Sequence, residues 1–219
     1  MAAVLDVAGV ELAAAYGFMR ERLGLVLEGA APDDEFGFLL CTGDDGEVTW
    51  FVWRVEDGVP AELGEVLARS ARAEIRVPAI GAESSPEGWD IPHLVQLPVW
   101  FWVDEPGWSS VTNTASLGVF GVSATVTASP VESLWFVDGA LVATCGQGEQ
   151  WVPAREGEEP VCGVTFTEPF EGTLTSVVVY EVTVACVPAG LCAGIDLDPI
   201  RGEVSRPVRA VEAWGVVTG

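Results

Sequence analysis

Apolar and polar positions along the chain follow two different periods. In residues 6–28, Leu12, Tyr16, Met19, Leu23 and Val26 or Leu27 recur at helical spacing behind Asp6 as an N-cap, which predicts an amphipathic helix. Ala31-Pro32-Asp33-Asp34-Glu35 ends it. A hairpin follows: Phe36 to Thr42, a turn at Gly43-Asp44-Asp45-Gly46, then Glu47 to Val55. Val48, Trp50, Val52 and Arg54 share one face of the second strand, and Thr49, Phe51 and Trp53 share the other. Both faces carry aromatic side chains, so this ribbon must be covered or must pair with something. A second helix is predicted from Pro60 to Glu74, with Leu63, Val66, Leu67 and Ala71 as its apolar stripe. Arg69, Arg72 and Arg76 gather towards its C-terminal end, where cations complement the helix dipole. Pro78 ends it, and residues 80–92, rich in Gly, Ser, Glu and Pro, read as a linker.

From His93 onward helical periodicity vanishes and strand-like runs alternate with turn signals. The runs are Leu94 to Val103, Ser109 to Leu117, Val122 to Ala128, Glu132 to Phe136, Ala140 to Thr144, Val161 to Thr167, Thr173 to Val187 and Arg206 to Val217. Such a series of short strands predicts an all-β sandwich. Val178, Tyr180, Val182 and Val184 form a wholly apolar face, predicted to point into the core, against Val177, Val179, Glu181 and Thr183 outside. The expected architecture is mainly β: an N-terminal α+β region over 1–79, a linker over 80–92 and a sandwich over 93–219.

Composition narrows the chemistry. Apolar residues make up 49% of the 219 and charged residues 20%, so the chain can bury a core. Acidic residues number 33 against 10 basic ones, a formal net charge of −23, and every basic residue is Arg. Without lysine there is no P-loop, no Schiff-base chemistry and no kinase-type catalytic lysine. Nucleic acid is a poor partner, because binding it requires neutralising phosphates with cations. Nine Trp are many for this length, and in a β-rich chain most fill a core. No apolar run of helix-spanning length occurs, so no transmembrane helix is predicted.

The five cysteines are Cys41, Cys145, Cys162, Cys186 and Cys192. Cys186 and Cys192 close a short Pro- and Gly-containing loop suited to a local disulfide. Cys145 and Cys162 bracket a polar, Gly- and Glu-rich segment that reads as a long loop stapled at its base. Cys41 is left over. Two disulfides favour an oxidising compartment, and five reduced core thiols are the alternative. No C-x-x-C occurs and the single His93 lies far from every Cys, which argues against zinc. Met1 to Gly9 lacks a basic region followed by an apolar stretch, so a secreted or cell-surface location assumes a removed signal peptide.

Several segments resemble actinobacterial secreted proteins with a PKD-like, immunoglobulin-type domain. The segment from Leu94 to Asp104, with Pro106, Gly107 and Trp108 after it, is similar to that family's "LPTWLWVD" opening. Gly121 to Pro130 resembles its "VSVTATATP" strand. Leu134 to Gly139 with Cys145 downstream resembles its tryptophan-to-cysteine segment, and Pro160 to Gly163 its second cysteine position. Arg206 to Thr218 resembles its closing strand. The chain departs in a shortened Asp138-Gly139 turn, in Val164 and Phe166 where the family has His and Tyr, and in an inserted Cys186–Cys192 loop. The resemblance implies a PKD-like sandwich and, for function, a surface or envelope module.

Candidate sites are few. His93 has no G-x-S-x-G motif to serve and reads as a linker histidine. Asp196 and Asp198 place two carboxylates on one side of an extended segment and are weak calcium candidates; Gly43 to Gly46 is weaker still. Glu156, Glu158 and Glu159 read as a solvated loop. Trp100, Trp102 and Trp108, with Trp89, form an aromatic cluster. Trp100 and Trp102 share one face of their strand while Val99, Phe101 and Val103 share the other, so both faces cannot enter one core. One must pack on the Pro60 helix, the favoured reading, or on a partner. The expected function is a non-enzymatic extracytoplasmic binding or structural module of a cell envelope or pilus-type assembly. Its partner would be a protein or glycan at the cell surface, or a second copy of the chain. A carboxylate-based glycan hydrolase and an intracellular acidic protein are the alternatives.

Overall fold

A computed structural model describes residues 36–42, 48–54, 59–85, 91–118, 121–155 and 157–212, with the backbone alone for 36–42 and 48–54. The predicted first helix, the Gly43–Gly46 turn, Trp89, Glu156 and the Cys41 side chain lie outside the described residues. The hairpin strands form as the alternation predicts: β1 (Phe36–Thr42) pairs antiparallel with β2 (Val48–Arg54).

The chain is mainly β. Its large sheet is six-stranded: β4 (His93–Leu94), β11 (Ile200–Val211), β10 (Phe170–Val187), β7 (Val122–Val137) and β6 (Val111–Leu117) lie in that order, and β8 (Ala140–Cys145) joins the far half of β7. All pairings are antiparallel except the short β4–β11 contact. A smaller sheet runs β3 (Ala82–Ser84), β5 (Pro98–Val103), β9 (Gly163–Thr165). It lies against the large one through Phe101 and Trp135, both fully buried, whose rings stack at 4.7 Å and 14°. Tyr180 Oη donates to the Gly107 carbonyl at 2.6 Å, so the buried phenol keeps a partner. As the alternation predicts, Val178 and Tyr180 are buried and Glu181 and Thr183 are exposed, but Val179, expected outside, is buried too, at the bulge where β10 faces Pro130 and Glu132 of β7. The opposite face is wet, with hydroxyl pairs such as Thr112–Thr127 and Thr114–Thr125 across β6 and β7.

Two runs expected to be separate strands are one. β7 continues through Pro130 because its neighbour changes there. β6 ends its pairing at Ala128 and β8 begins at Ser133, so on that edge of β7 no ladder partner is denied the N–H that proline lacks, and on the other edge Pro130 lies opposite β10 at a bulge. Val131 has no opposite number in β10, since Pro130 faces Tyr180 and Glu132 faces Val179. This bulge switches the inward set from Val122, Ala124, Val126 and Ala128 to Ser133 and Trp135. β4 and β5 separate where one strand was expected, because Gln96 takes a left-handed φ of 66°.

Helix α1 (Ala61–Ala73) follows Pro60, with Leu63, Gly64, Leu67, Ala68 and Ala71 buried. It packs on β6, β7 and the short turn Ala189–Cys192, and its apolar residues share one core with both sheets. Gly64 is required there, because a Cβ would collide with the Leu191 carbonyl. The expected docking of α1 over one face of β5 is thus replaced by docking on β6 and β7. Residues 80–92, read as a linker, hold β3, and Ile80, Ala82, Ser84 and Ser85 are buried. Their polarity misled: the two serines hydrogen-bond in the interior, Ser84 beside His93 and Ser85 to Trp100.

Candidate binding groove

Both predicted staples form. Cys145 bonds Cys162, tying the end of β8 to the start of β9, and Cys186 bonds Cys192, with Cα separations of 5.7 and 5.6 Å. Residues 146–155 and 157–162 fold back along β5. Phe101 N–H donates to the Cys162 carbonyl and Val103 N–H to the Gln147 carbonyl, each at 2.8 Å. The Gln147 side chain returns a bond to the Val103 carbonyl at 3.1 Å. Two glycines allow this close approach. Gly148, at φ 79°, sits against the Phe101 carbonyl and Gly163 against the Val99 carbonyl, with no room for a Cβ at either.

This loop resolves the two-faced aromatic strand. Val99, Phe101 and Val103 enter the inter-sheet core, while Trp100, only 2% exposed, is covered from outside. The Arg155 guanidinium lies over its indole, 5.4 Å from the ring centroid, and is held there by an ion pair with Glu149. The cover predicted from α1 is therefore supplied by the loop. Trp102 is half-buried opposite Glu83, and Trp108 is half-buried in the turn Pro106–Trp108; neither lines the groove described next.

Between the loop and the β4–β5 segment runs a mostly apolar groove of about 400 Å³. Leu94, Leu97, Pro98 and Trp100 line one side, Trp151, Arg155 and Glu158 the other, and Ser85 reaches it from β3's end. Its polar groups are largely engaged. Ser85 Oγ accepts from the Trp100 N–H at 3.0 Å, and Arg155 pairs with Glu149. Leu97 is 53% exposed at the rim, and Val152 and Val161 in the same loop are exposed as well. Sequence reasoning missed Leu97, Trp151 and Arg155. The available signal was an aromatic residue, Trp151, inside a polar segment expected to be stapled at its base.

The remaining candidates separate from the groove. His93 is a buried strand residue, with Nε2 3.4 Å from Ser84 Oγ and its ring beside Phe166. Burial pushes its pKa below the ordinary 6.5. The Ser85 backbone opposes this as the smaller of the two effects, and Nδ1 has no hydrogen-bond partner among the described residues. With both members buried and no carboxylate on Nδ1 among the described residues, Ser84 and His93 lack the third member of a triad there. Asp196 and Asp198 border a small pocket shared with Arg69 and Arg72, and Arg72 donates twice to the Asp198 carbonyl. Two guanidinium groups beside the aspartates oppose a bound cation, and no cluster of three or more metal-ligating side chains occurs among the described residues. Glu158 and Glu159 are exposed. No described helix is long and apolar enough to cross a membrane. Comparison with known protein families, with characterised proteins and with solved structures finds no match.

Proposed function

We propose that this chain is a non-enzymatic binding module acting outside the cytoplasm, at a cell surface or in an envelope assembly, on a PKD-like, immunoglobulin-type sandwich. The observation that carries the reading is the groove walled by the Cys145–Cys162 loop, an apolar cleft on a rigid two-sheet scaffold. Two cystines support an oxidising compartment. A carboxylate-based hydrolase would need two carboxyl groups facing across the cleft, and Glu158 alone among the described acidic residues lines it.

The test is selection of a random peptide display library and a set of oligosaccharides on the native protein, with Leu97→Asp and Trp151→Ala as counter-variants. Ligands that lose about tenfold or more in affinity on both variants support a binding groove. If nothing selected depends on either residue, the groove reading is refuted. Mass spectrometry of alkylated, unreduced protein checks the compartment argument: four protected cysteines are expected, and five alkylated ones would remove it.

A further inference from the structure

We infer that the groove takes an extended protein segment whose apolar side chains are flanked by basic residues; the inference rests on the binding reading above and names its occupant. Three observations lead to it. The first is the lining. Leu94, Leu97, Pro98 and Trp151 offer aliphatic and aromatic surface, and Leu97 is left half-exposed at the rim. Such a lining gains by removing apolar side chains from water.

The second is the state of its polar groups. Sugars are held by hydrogen bonds to many hydroxyls and by an open aromatic face. Here the Trp100 face lies under Arg155, the Arg155 charge is engaged by Glu149, and Ser85 Oγ already accepts from the backbone, which leaves Trp151 as the one other aromatic and Glu158 as the one unengaged charged side chain among the described lining residues. A glycan would therefore lose its water hydrogen bonds with little to replace them. An extended peptide keeps its outward backbone groups in water while its alternate side chains enter the groove.

The third is charge. Glu149 cancels Arg155, and Glu158 is then the uncompensated charge among the groove's described side chains, with the exposed Glu159 next in sequence. The whole chain carries a formal net charge of −23. A field of one sign steers partners of the other sign and repels a second copy of the same acidic chain. An apolar segment with Arg or Lys on both flanks satisfies floor and rim together.

Fluorescence anisotropy with labelled synthetic peptides tests this. One short peptide carries a Leu-Phe-Leu centre between arginines; others carry the same centre between glutamates or serines, and a control carries a Ser-Ser-Ser centre between arginines. The arginine-flanked apolar peptide should bind about tenfold or more tightly than each of the others. Its affinity should fall several-fold from about 50 to about 500 mM salt. Glu158→Gln should weaken it by about threefold while leaving the serine-flanked peptide unchanged, and Leu97→Asp and Trp151→Ala should abolish the preference for the apolar centre. Equal binding of all three flanks, still dependent on Leu97 and Trp151, would overturn the inference and leave the groove reading standing. Binding of the Ser-centred control as tight as the apolar one, or binding indifferent to both groove variants, would show general attraction to an acidic chain and overturn it. So would groove-dependent binding of an oligosaccharide such as cellohexaose with no peptide binding.

Discussion

Removing the Cys145–Cys162 bond tests the groove and the core at once. Replacing both cysteines by alanine avoids placing a hydroxyl at position 162, which is buried. The two residues lie 17 apart. Loop-closure entropy for that span comes to about 10.5 cal/mol/K, hence about 3 kcal/mol at room temperature. The Cys186–Cys192 bond spans 6 residues. The same relation gives it about 2 kcal/mol, so the longer loop should matter more by about 1 kcal/mol. Urea unfolding followed by tryptophan fluorescence is the assay, and the Cys145→Ala/Cys162→Ala midpoint should fall by about 1–1.5 M. Loss of the staple also frees one end of the loop that carries Trp151 and Arg155, so groove ligands should weaken even under conditions where the variant is fully folded. A midpoint shift smaller than that of the Cys186→Ala/Cys192→Ala variant would refute the entropy argument. An unchanged groove affinity would refute the role given to the loop.

Other expectations follow from single contacts. Gly64→Ala should destabilise by about 1–3 kcal/mol in the same urea assay, although alanine is the better helix former by about 1 kcal/mol; a gain in stability would mean that the Ala189–Cys192 turn does not sit on α1. Phe101→Ala should cost about 3–5 kcal/mol, since the ring is fully buried against Trp135, whereas Leu141→Ala, more than half exposed, should stay within about 0.5 kcal/mol. His93 takes a proton less readily folded than unfolded, so the two states differ only once the unfolded side chain begins to protonate. Its contribution is therefore neutral above 6.5 and destabilising as pH falls below it. Between about pH 7.5 and about pH 5 the wild type should lose more stability than His93→Gln, and parallel losses would contradict the buried, neutral imidazole.

The sequence by itself determined the mainly β class, the α1 segment, the hairpin strands β1 and β2, the buried positions Val178 and Tyr180 of β10 and both cysteine pairs. Each of these is written in local periodicity or in loop spacing, which the chain carries before it folds. Only the tertiary structure decided the rest. Ile200 to Ser205 gave no strand signal because its exposed face is charged and its buried Gly202, packed under Ile80, has no side chain to register. Pro130 looked like a strand end, yet it is tolerated where one neighbour leaves and another has not begun. The serines of residues 80–92 looked solvated because polarity alone does not reveal that a buried partner waits elsewhere in the chain. The groove was invisible for the same reason: Leu97, Trp100, Trp151 and Arg155 belong to two separated segments, and only the hydrogen bonds between β5 and the stapled loop bring them face to face.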